Sequence, residues 1–355
     1  MPGWIRRPWF SSKTCRRGLI DRFHHTQSHS DMSYAAERAV ALAAVREAAA
    51  LCQGVQAQMR VRSIEKADQS PVTLADYGSQ ALICSRLRRA FPQDAIIAEE
   101  TADMLRSEDG SMARSGVCRE VWKLRPDATE EEILQWIDYG DQKAFVERYW
   151  TLDPIDGTKG FLRGDQYAIA LALVVDGMVE VAAVACPNLT LSVYPEVAGC
   201  MAIAVRGQGA FLHALDDAKE VGPLHVSTVM RPAEARFSES FESGHTSHST
   251  SARISGALGI TKAPVRMDSQ AKYVAVAAGD ADMYLRLPSG RAYIENIWDH
   301  AAGMLVVTEA GGRVSDVRGM DLDFSQGFQL SNNTGVLASN GKLHEALLEA
   351  VSEAL

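Results

Sequence analysis

At 355 residues, 46% of them hydrophobic and 23% charged, the chain has ordinary globular composition and exceeds the length one core usually supports, so two domains or layers are expected. No apolar run approaches bilayer-spanning length, and the longest, Ala168 to Val175, stops at Asp176, which argues against a membrane-spanning role. A net charge of −9 without a basic stripe argues against a nucleic-acid partner.

Positive charge gathers at the N-terminus. Residues 1–31 carry six Arg or Lys against Asp21 and Asp31, a net of +4 that leaves −13 on the remainder. This stretch is Arg-rich, holds Ser11, Ser12, Ser28 and Ser30, and lacks the apolar core of a secretory signal. That is the composition of a transit peptide for a chloroplast or mitochondrion. A plain tail ahead of a cytoplasmic body starting near Met32 is the alternative.

From Ser33 to Met59 an Ala-rich pattern predicts a helix. After Pro71, Thr73 to Arg89 is helical again, and Ile96 to Ala98 is a short strand ending in Glu99-Glu100. Residues 101–148 differ in character: they are charged, with one periodic segment at Glu130 to Tyr139, and read as an insertion. Tyr149 to Leu152 is a strand running into Asp153-Pro-Ile-Asp-Gly-Thr158. Tyr167 to Val175, the turn Asp176-Gly177 and Met178 to Ala185 form a hairpin, and Cys200 to Val205 and Gly209 to His213 continue the meander. After Gly222-Pro223, short strands alternate with helices: helix at Ser269 to Ala278, strand at Met283 to Leu287, helix at Asp299 to Ala310 stopped by Gly311-Gly312, strand at Val336 to Ala338, and helix at Lys342 to Leu355. The expected organisation is a tail over 1–31, an α+β domain over 32–222 with the insertion at about 101–148, and a smaller α/β domain over 223–355.

The six cysteines (Cys15, Cys52, Cys84, Cys118, Cys186, Cys200) contain no C-x-x-C pair, so no zinc site is indicated. Their scatter is that of buried free thiols in a reduced compartment. A regulatory disulfide involving Cys118, in a loop-like stretch, or Cys186, beside Pro187, stays open. Arg206-Gly-Gln-Gly-Ala is too short for a dinucleotide fingerprint, and no phosphate-binding G-x-x-x-x-G-K-[ST] loop is present.

Acidic residues fall at strand ends and helix starts: Asp76, Glu99, Asp153, Asp156 and Asp299. Hard divalent cations want oxygen ligands, with water and phosphate completing the shell. Asp153-Pro-Ile-Asp-Gly-Thr158 suits this chemistry, because Pro154 fixes the backbone and the turn lets Asp153, Asp156 and the Ile155 carbonyl converge. Gly157 allows close backbone approach to a phosphate. Taken singly each signal has a plainer reading: Asp-Gly as a turn, Glu99-Glu100 as a solvated face, Asp299 as a helix cap.

Together, Glu99-Glu100, Trp150-Thr-Leu-Asp-Pro-Ile-Asp-Gly-Thr-Lys-Gly-Phe161 and Trp298-Asp-His-Ala-Ala-Gly303 resemble the lithium-sensitive, Mg²⁺-dependent phosphatases of the inositol monophosphatase superfamily. Lys66 to Gln80, Phe161 to Tyr167, Cys186-Pro-Asn-Leu189, Asp268 to Tyr273 and Tyr284 to Pro288 resemble its 3′(2′),5′-bisphosphate nucleotidase branch in yeast and plants. The resemblance runs from about Ser33 to the C-terminus. It implies a layered α-β-α-β-α sandwich, an antiparallel sheet followed by a smaller mixed sheet. It implies two or three Mg²⁺ ions held by Asp76, Glu99, Asp153, Asp156, Asp299 and the Ile155 carbonyl, with Glu100 behind them. Asp76 and Thr158 would orient and deprotonate the attacking water, and the Gly157 and Thr158 amides would help hold the scissile phosphate. His245, Ser269, Lys272 and Arg286 would contact the nucleotide and its second phosphate. The implied activity removes the 3′-phosphate of adenosine 3′,5′-bisphosphate, and of 3′-phosphoadenylyl sulfate. Rivals are an inositol polyphosphate 1-phosphatase, a dual-specificity enzyme, or a non-catalytic nucleotide or redox sensor. Intact carboxylates weigh against the sensor, which has no need of five metal-directed acids.

Overall fold

The computed structural model describes residues 33–62, 71–241, 248–287 and 293–355. Two long helices, α1 (Ala35–Arg62) and α2 (Pro71–Ala90), lead into the short strand β1 (Ala95–Ala98). Three helices then fill the region read as an insertion: α3 (Asp103–Arg106), α4 (Ser111–Trp122) and α5 (Glu130–Asp138). Helix α5 starts on a capping box, with Thr129 and Glu132 satisfying each other's backbone N–H groups. Helices α4 and α5 pack against α2.

Next come β2 (Arg148–Asp156), the short helix α6 (Thr158–Arg163), β3 (Ala168–Val175), β4 (Met178–Cys186), β5 (Cys200–Val205), β6 (Gly209–Ala214) and β7 (Glu220–Pro223). Strands β1 to β7 follow chain order across one sheet. All pairs are antiparallel except β1 and β2, so the expected antiparallel sheet carries one parallel edge. The β3–β4 turn places Asp176 and Gly177 both at positive φ (51° and 76°), the requirement of the hairpin turn their sequence suggested.

The rest of the chain adds β8 (Phe237–Glu239), α7 (His248–Ala257), β9 (Val265–Arg266), α8 (Ala271–Ala277), β10 (Met283–Arg286), α9 (Ala301–Glu309), β11 (Arg313–Ser315), β12 (Val336–Ser339) and α10 (His344–Ala354). Its strands form a mixed sheet in the order β11-β12-β10-β8-β9. Both sheets lie in one compact unit, Tyr34–Leu355.

Alternation along the strands sets the layers. On β3, Ile169, Leu171 and Leu173 pack into the core shared with α1 and α2. Their neighbours Ala168, Ala170 and Ala172 face the opposite core, with α8 and α9. The small residues on that face let a helix approach closely. Helix α9 is buried on nearly all sides, touching β4 and β5 on one flank and β11 and β12 on the other. Beyond the second sheet, α7 and α10 close a third core. The layers therefore run α-β-α-β-α, as expected.

The cysteines among the described residues, Cys52, Cys84, Cys118, Cys186 and Cys200, are free and buried. Cys118 sits in helix α4 rather than in a loop. Cys186 and Cys200 are register partners across β4 and β5.

Candidate active site

The site grows from the end of a parallel strand pair. Registering Ala98 with Leu152 brings the next residues, Glu99 and Asp153, level with each other beyond the end of β1. Gln80 of α2 fixes this corner. Its side chain accepts from the Glu100 N–H at 3.1 Å and donates to the Glu100 carbonyl at 2.6 Å. One turn earlier, α2 presents Asp76, a buried residue whose Oδ1 has no hydrogen-bond partner. Ser79 Oγ donates to the Pro154 carbonyl at 3.1 Å and ties α2 to the end of β2.

A bulge in β2 gives the site its shape. Asp153 pairs with Ala170 and Asp156 with Ala168, so three steps on β2 match two on β3. In a regular strand, residues three apart face opposite sides; the extra residue corrects this. Asp153, Asp156 and Asp299 consequently bring carboxylate oxygens within 4.8 Å of one another. Ile155 packs its side chain into the α1–α2 core. Asp299 closes a single 3₁₀ turn, Ile297–Asp299, and His300 caps α9 without a side-chain bond. The helix thus starts two residues later than its sequence pattern suggests, and the Asp299 carboxylate is not its cap.

Crowding these acids without counter-charge is costly. Burial, then Glu99 and Glu100, push the Asp76 carboxyl well above the usual range. Burial, then Glu99 and Asp156, do the same to Asp153. Burial, Asp299 and Glu100 raise Glu99 to about 8, against a hydrogen bond with Asp153. Asp156 rises only to about 6, because Lys272, Arg286 and the Gln270 N–H offset burial and Asp299. Buried carboxylates that repel one another, with orphaned oxygens on Asp76 and Asp153, form an all-oxygen donor set suited to hard cations. The residues present therefore fit a metal ion.

Of these acids, Glu99, Asp156 and Asp299 line a cleft of about 300 Å³, together with Gly157, Thr158, Ser269, Lys272 and Arg286, among others. Gly157 joins β2 to α6 at φ 88°, where a Cβ would stand 3.0 Å from that of Ser269. Thr158 is exposed at the cleft wall. Ser269 itself holds a positive φ of 70°. Lys272 is buried, and desolvation brings its ammonium down to about 8 despite Asp156. Arg286 is ion-paired to Glu295 at 2.6 Å and to Asp299 at 3.5 Å. His245 lies outside the described residues.

Two residues that sequence reading passed over organise this geometry. Gln270 donates its backbone N–H to Asp156 Oδ2 at 2.6 Å, while its side chain bonds the Trp298 carbonyl at 2.8 Å and the Gly303 N–H at 2.9 Å. Glu295 holds Arg286 and His300 together. Gln270 lay inside the Asp268–Tyr273 run and carries no charge to draw notice. Glu295 stands four residues before Asp299, one acid with no motif of its own.

Comparison with known proteins agrees with this geometry. The sequence matches the inositol monophosphatase family over residues 31–355. A 3′(2′),5′-bisphosphate nucleotidase of Schizosaccharomyces pombe is 43% identical, over 90% of this chain and 96% of its own length. The Oryza sativa protein of that description is 44% identical over 91% and 95%, and that of Dictyostelium discoideum 40% over 90% and 97%. Among solved structures, SuhB from Mycobacterium tuberculosis has a TM-score of 0.58 at 23% identity, covering 90% of this chain and 96% of that one. The SuhB structure from Bartonella henselae has a TM-score of 0.60 at 19% identity, covering 90% and 100%. These likenesses concern the fold.

Proposed function

This chain belongs to the inositol monophosphatase family, and from that membership we infer that it is a Mg²⁺-dependent phosphatase that removes the 3′-phosphate of adenosine 3′,5′-bisphosphate. The products are AMP and inorganic phosphate; 3′-phosphoadenylyl sulfate yields adenylyl sulfate in the same way. The observation that carries the reading is the convergence of Asp153, Asp156 and Asp299 beside a cleft holding Lys272 and Arg286. The nucleotidase relatives, 40–44% identical over at least nine-tenths of the chain, support the substrate class over an inositol polyphosphate.

Asp76, Glu99, Asp153, Asp156, Asp299 and the Ile155 carbonyl would hold two or three Mg²⁺ ions. Bound there, such ions make water more acidic and neutralise phosphate oxygens, so that an acidic site accepts a polyanion. Around them the chain's own groups do the positioning. Asp76 accepts the proton of the attacking water, Thr158 orients that water, and the Gly157 and Thr158 amides hold the scissile phosphate. Water adds to phosphorus, the P–O3′ bond breaks, and the departing oxygen is protonated by solvent. Lys272, Arg286, Ser269 and His245 take the nucleotide and its 5′-phosphate.

The test is phosphate release from adenosine 3′,5′-bisphosphate and, in parallel, from inositol 1,4-bisphosphate. Full activity in chelator would sink the metal reading. A preference for the inositol substrate would overturn the nucleotide reading. Inhibition by LiCl beyond a KCl control is expected; equal curves count against it. For residues 1–31 we propose organelle import. A reporter fused to them should enter an organelle, and a diffuse cytosolic signal would refute this.

A further inference from the structure

Among the described residues a second acidic group, Glu295, Asp299 and His300, also brings ligand-type atoms within 4.8 Å of one another. It shares Asp299 with the first group, so both could claim that carboxylate. The second group already has a cation, the guanidinium of Arg286. That side chain is 12% exposed and stands with Nε 2.6 Å from Glu295, an ion-pair contact outside hydrogen-bond geometry, while its Nη2 makes a long hydrogen bond to Asp299 at 3.5 Å. The pairing is unequal, and the inequality has a visible cause. His300 Nε2 stands 3.2 Å from the same Glu295 oxygen, and His300 Nδ1 is 2.7 Å from the Tyr273 hydroxyl. A carboxylate can only accept, so Nε2 carries a hydrogen toward Glu295, while Nδ1 and the Tyr273 hydroxyl share a hydrogen bond on the other side of the ring. Tyr273 and His300 are fully buried, 1% and 0% exposed. Glu295 is therefore fixed from behind by a packed chain of side chains, and it fixes Arg286 in turn.

We propose that Glu295 is a positioning residue that holds Arg286 off Asp299 and so keeps the Asp299 carboxylate available to a divalent cation. This rests on the reading that Asp153, Asp156 and Asp299 receive such a cation. Without the Glu295 charge, the buried guanidinium keeps one ion-pair partner among the described residues, Asp299. A desolvated guanidinium closes on its remaining carboxylate, most favourably by a two-pronged contact. Asp299 would then be neutralised by protein and lost to the metal.

Mg²⁺ binding, measured by calorimetry and by the Mg²⁺-dependent rise in unfolding temperature, tests this in wild type, Glu295→Gln, Glu295→Asp, Arg286→Met and the double variant Glu295→Gln with Arg286→Met. Removing the Glu295 charge should weaken Mg²⁺ binding by about 10–100-fold, as loss of an outer partner of a metal ligand does. The double variant should recover to within about threefold of Arg286→Met alone, because the competing cation is gone. Glu295→Asp, which draws the carboxylate back by one methylene, should lose about threefold and carries the test should the Gln variant not fold. Recovery separates positioning from mere packing, since deleting Arg286 from a loosened core would only loosen it further. Wild-type affinity in both Glu295 single variants, or a double variant as weak as Glu295→Gln, would overturn the proposal. Absence of Mg²⁺ binding in the wild type itself would overturn the metal reading beneath it.

Discussion

The backbone N–H of Gln270 donates to Asp156 Oδ2 at 2.6 Å, which places the end of β2 and the start of α8 at a fixed distance. The Gln270 side chain extends the link to the third wall of the site, through the Trp298 carbonyl and the Gly303 N–H. Asp156 and Asp299, far apart in sequence, are thus positioned by one uncharged residue. Gly303 completes the close fit: a Cβ there would stand 2.3 Å from the Tyr273 ring.

Gln270→Ala should therefore cost both stability and metal affinity. It keeps the N–H to Asp156 but orphans a buried carbonyl and a buried N–H, at about 1–3 kcal/mol each. The Mg²⁺ concentration for half-maximal phosphate release should rise about tenfold as the Asp299 turn loosens. Denaturant unfolding and a Mg²⁺ titration measure the two effects. Lowered stability with an unchanged Mg²⁺ requirement would reduce Gln270 to a packing role.

The carboxylate cluster makes metal-free stability depend on pH with a definite sign. Glu99 at about 8 and Asp156 at about 6 both lie above their unfolded values. Ionising them in the fold costs stability, so the penalty is absent below the unfolded carboxylate range and complete above about pH 8. In chelator, the gap in unfolding temperature relative to saturating Mg²⁺ should widen between pH 5 and about pH 8. Asp153→Asn removes one of the buried, mutually repelling acids. The metal-free variant should unfold at a higher temperature than wild type at pH 8, gain little from Mg²⁺, and lose turnover by about a hundredfold or more. A gap that stays constant with pH would argue that these carboxylates are not the cation's seat.

A second pH effect arises far from the cleft. His344 at the start of α10 is fully buried between Ser315 Oγ at 2.8 Å and Ser339 Oγ at 2.9 Å. Burial, with Arg313 nearby, lowers its pKa to about 4. The folded value lies below the unfolded one, so the neutral ring's contribution is present above about pH 6.5 and is lost as pH falls through 4. Wild type should therefore lose stability more steeply than His344→Gln between pH 6.5 and 4.5 at saturating Mg²⁺. Parallel curves would assign the acid limb to other groups.

What could be read from sequence follows the length and regularity of each signal. The β3–β4 hairpin has eight apolar residues before Asp176-Gly177 and a run of nine residues after it, broken only by Glu180, so composition and turn agree. Helix α4 escaped notice because its cap, Gly110, makes no side-chain bond and its polar and apolar residues are mixed. Strands β8 and β9, at three and two residues, are too short to show any period. In the site the acids were legible because five carboxylates at element ends are chemically conspicuous. The convergence of Asp153 with Asp156 was legible in the turn, but the means were not: a one-residue bulge at Pro154-Ile155 and Gln270, which through its backbone and its amide brings in Asp299.

Substrate choice gives the last prediction. Adenosine 3′,5′-bisphosphate carries one phosphate for the carboxylate site and another that needs a separate cation. Arg286 is already engaged by Glu295 and Asp299, which leaves Lys272 as the less committed of the two. Among the described residues its Nζ has one long bond, 3.4 Å to the Met267 carbonyl, and lies 5.2 Å from the Tyr284 ring centre. At about 8 its pKa keeps the ammonium charged at pH 7, although burial penalises that charge. A second phosphate within reach would relieve the penalty. Charge-assisted hydrogen bonds are worth about 1.5–3 kcal/mol, or roughly tenfold to a hundredfold in a binding constant. Lys272→Met, assayed at saturating Mg²⁺, should therefore lower kcat/KM for the bisphosphate by that factor more than for inositol 1-phosphate, which has no second phosphate to place. The measured quantity is the ratio of the two penalties. A ratio near one would mean that Lys272 serves Asp156 and the metal site, not recognition of the nucleotide, and the second phosphate would have to be sought elsewhere in the cleft.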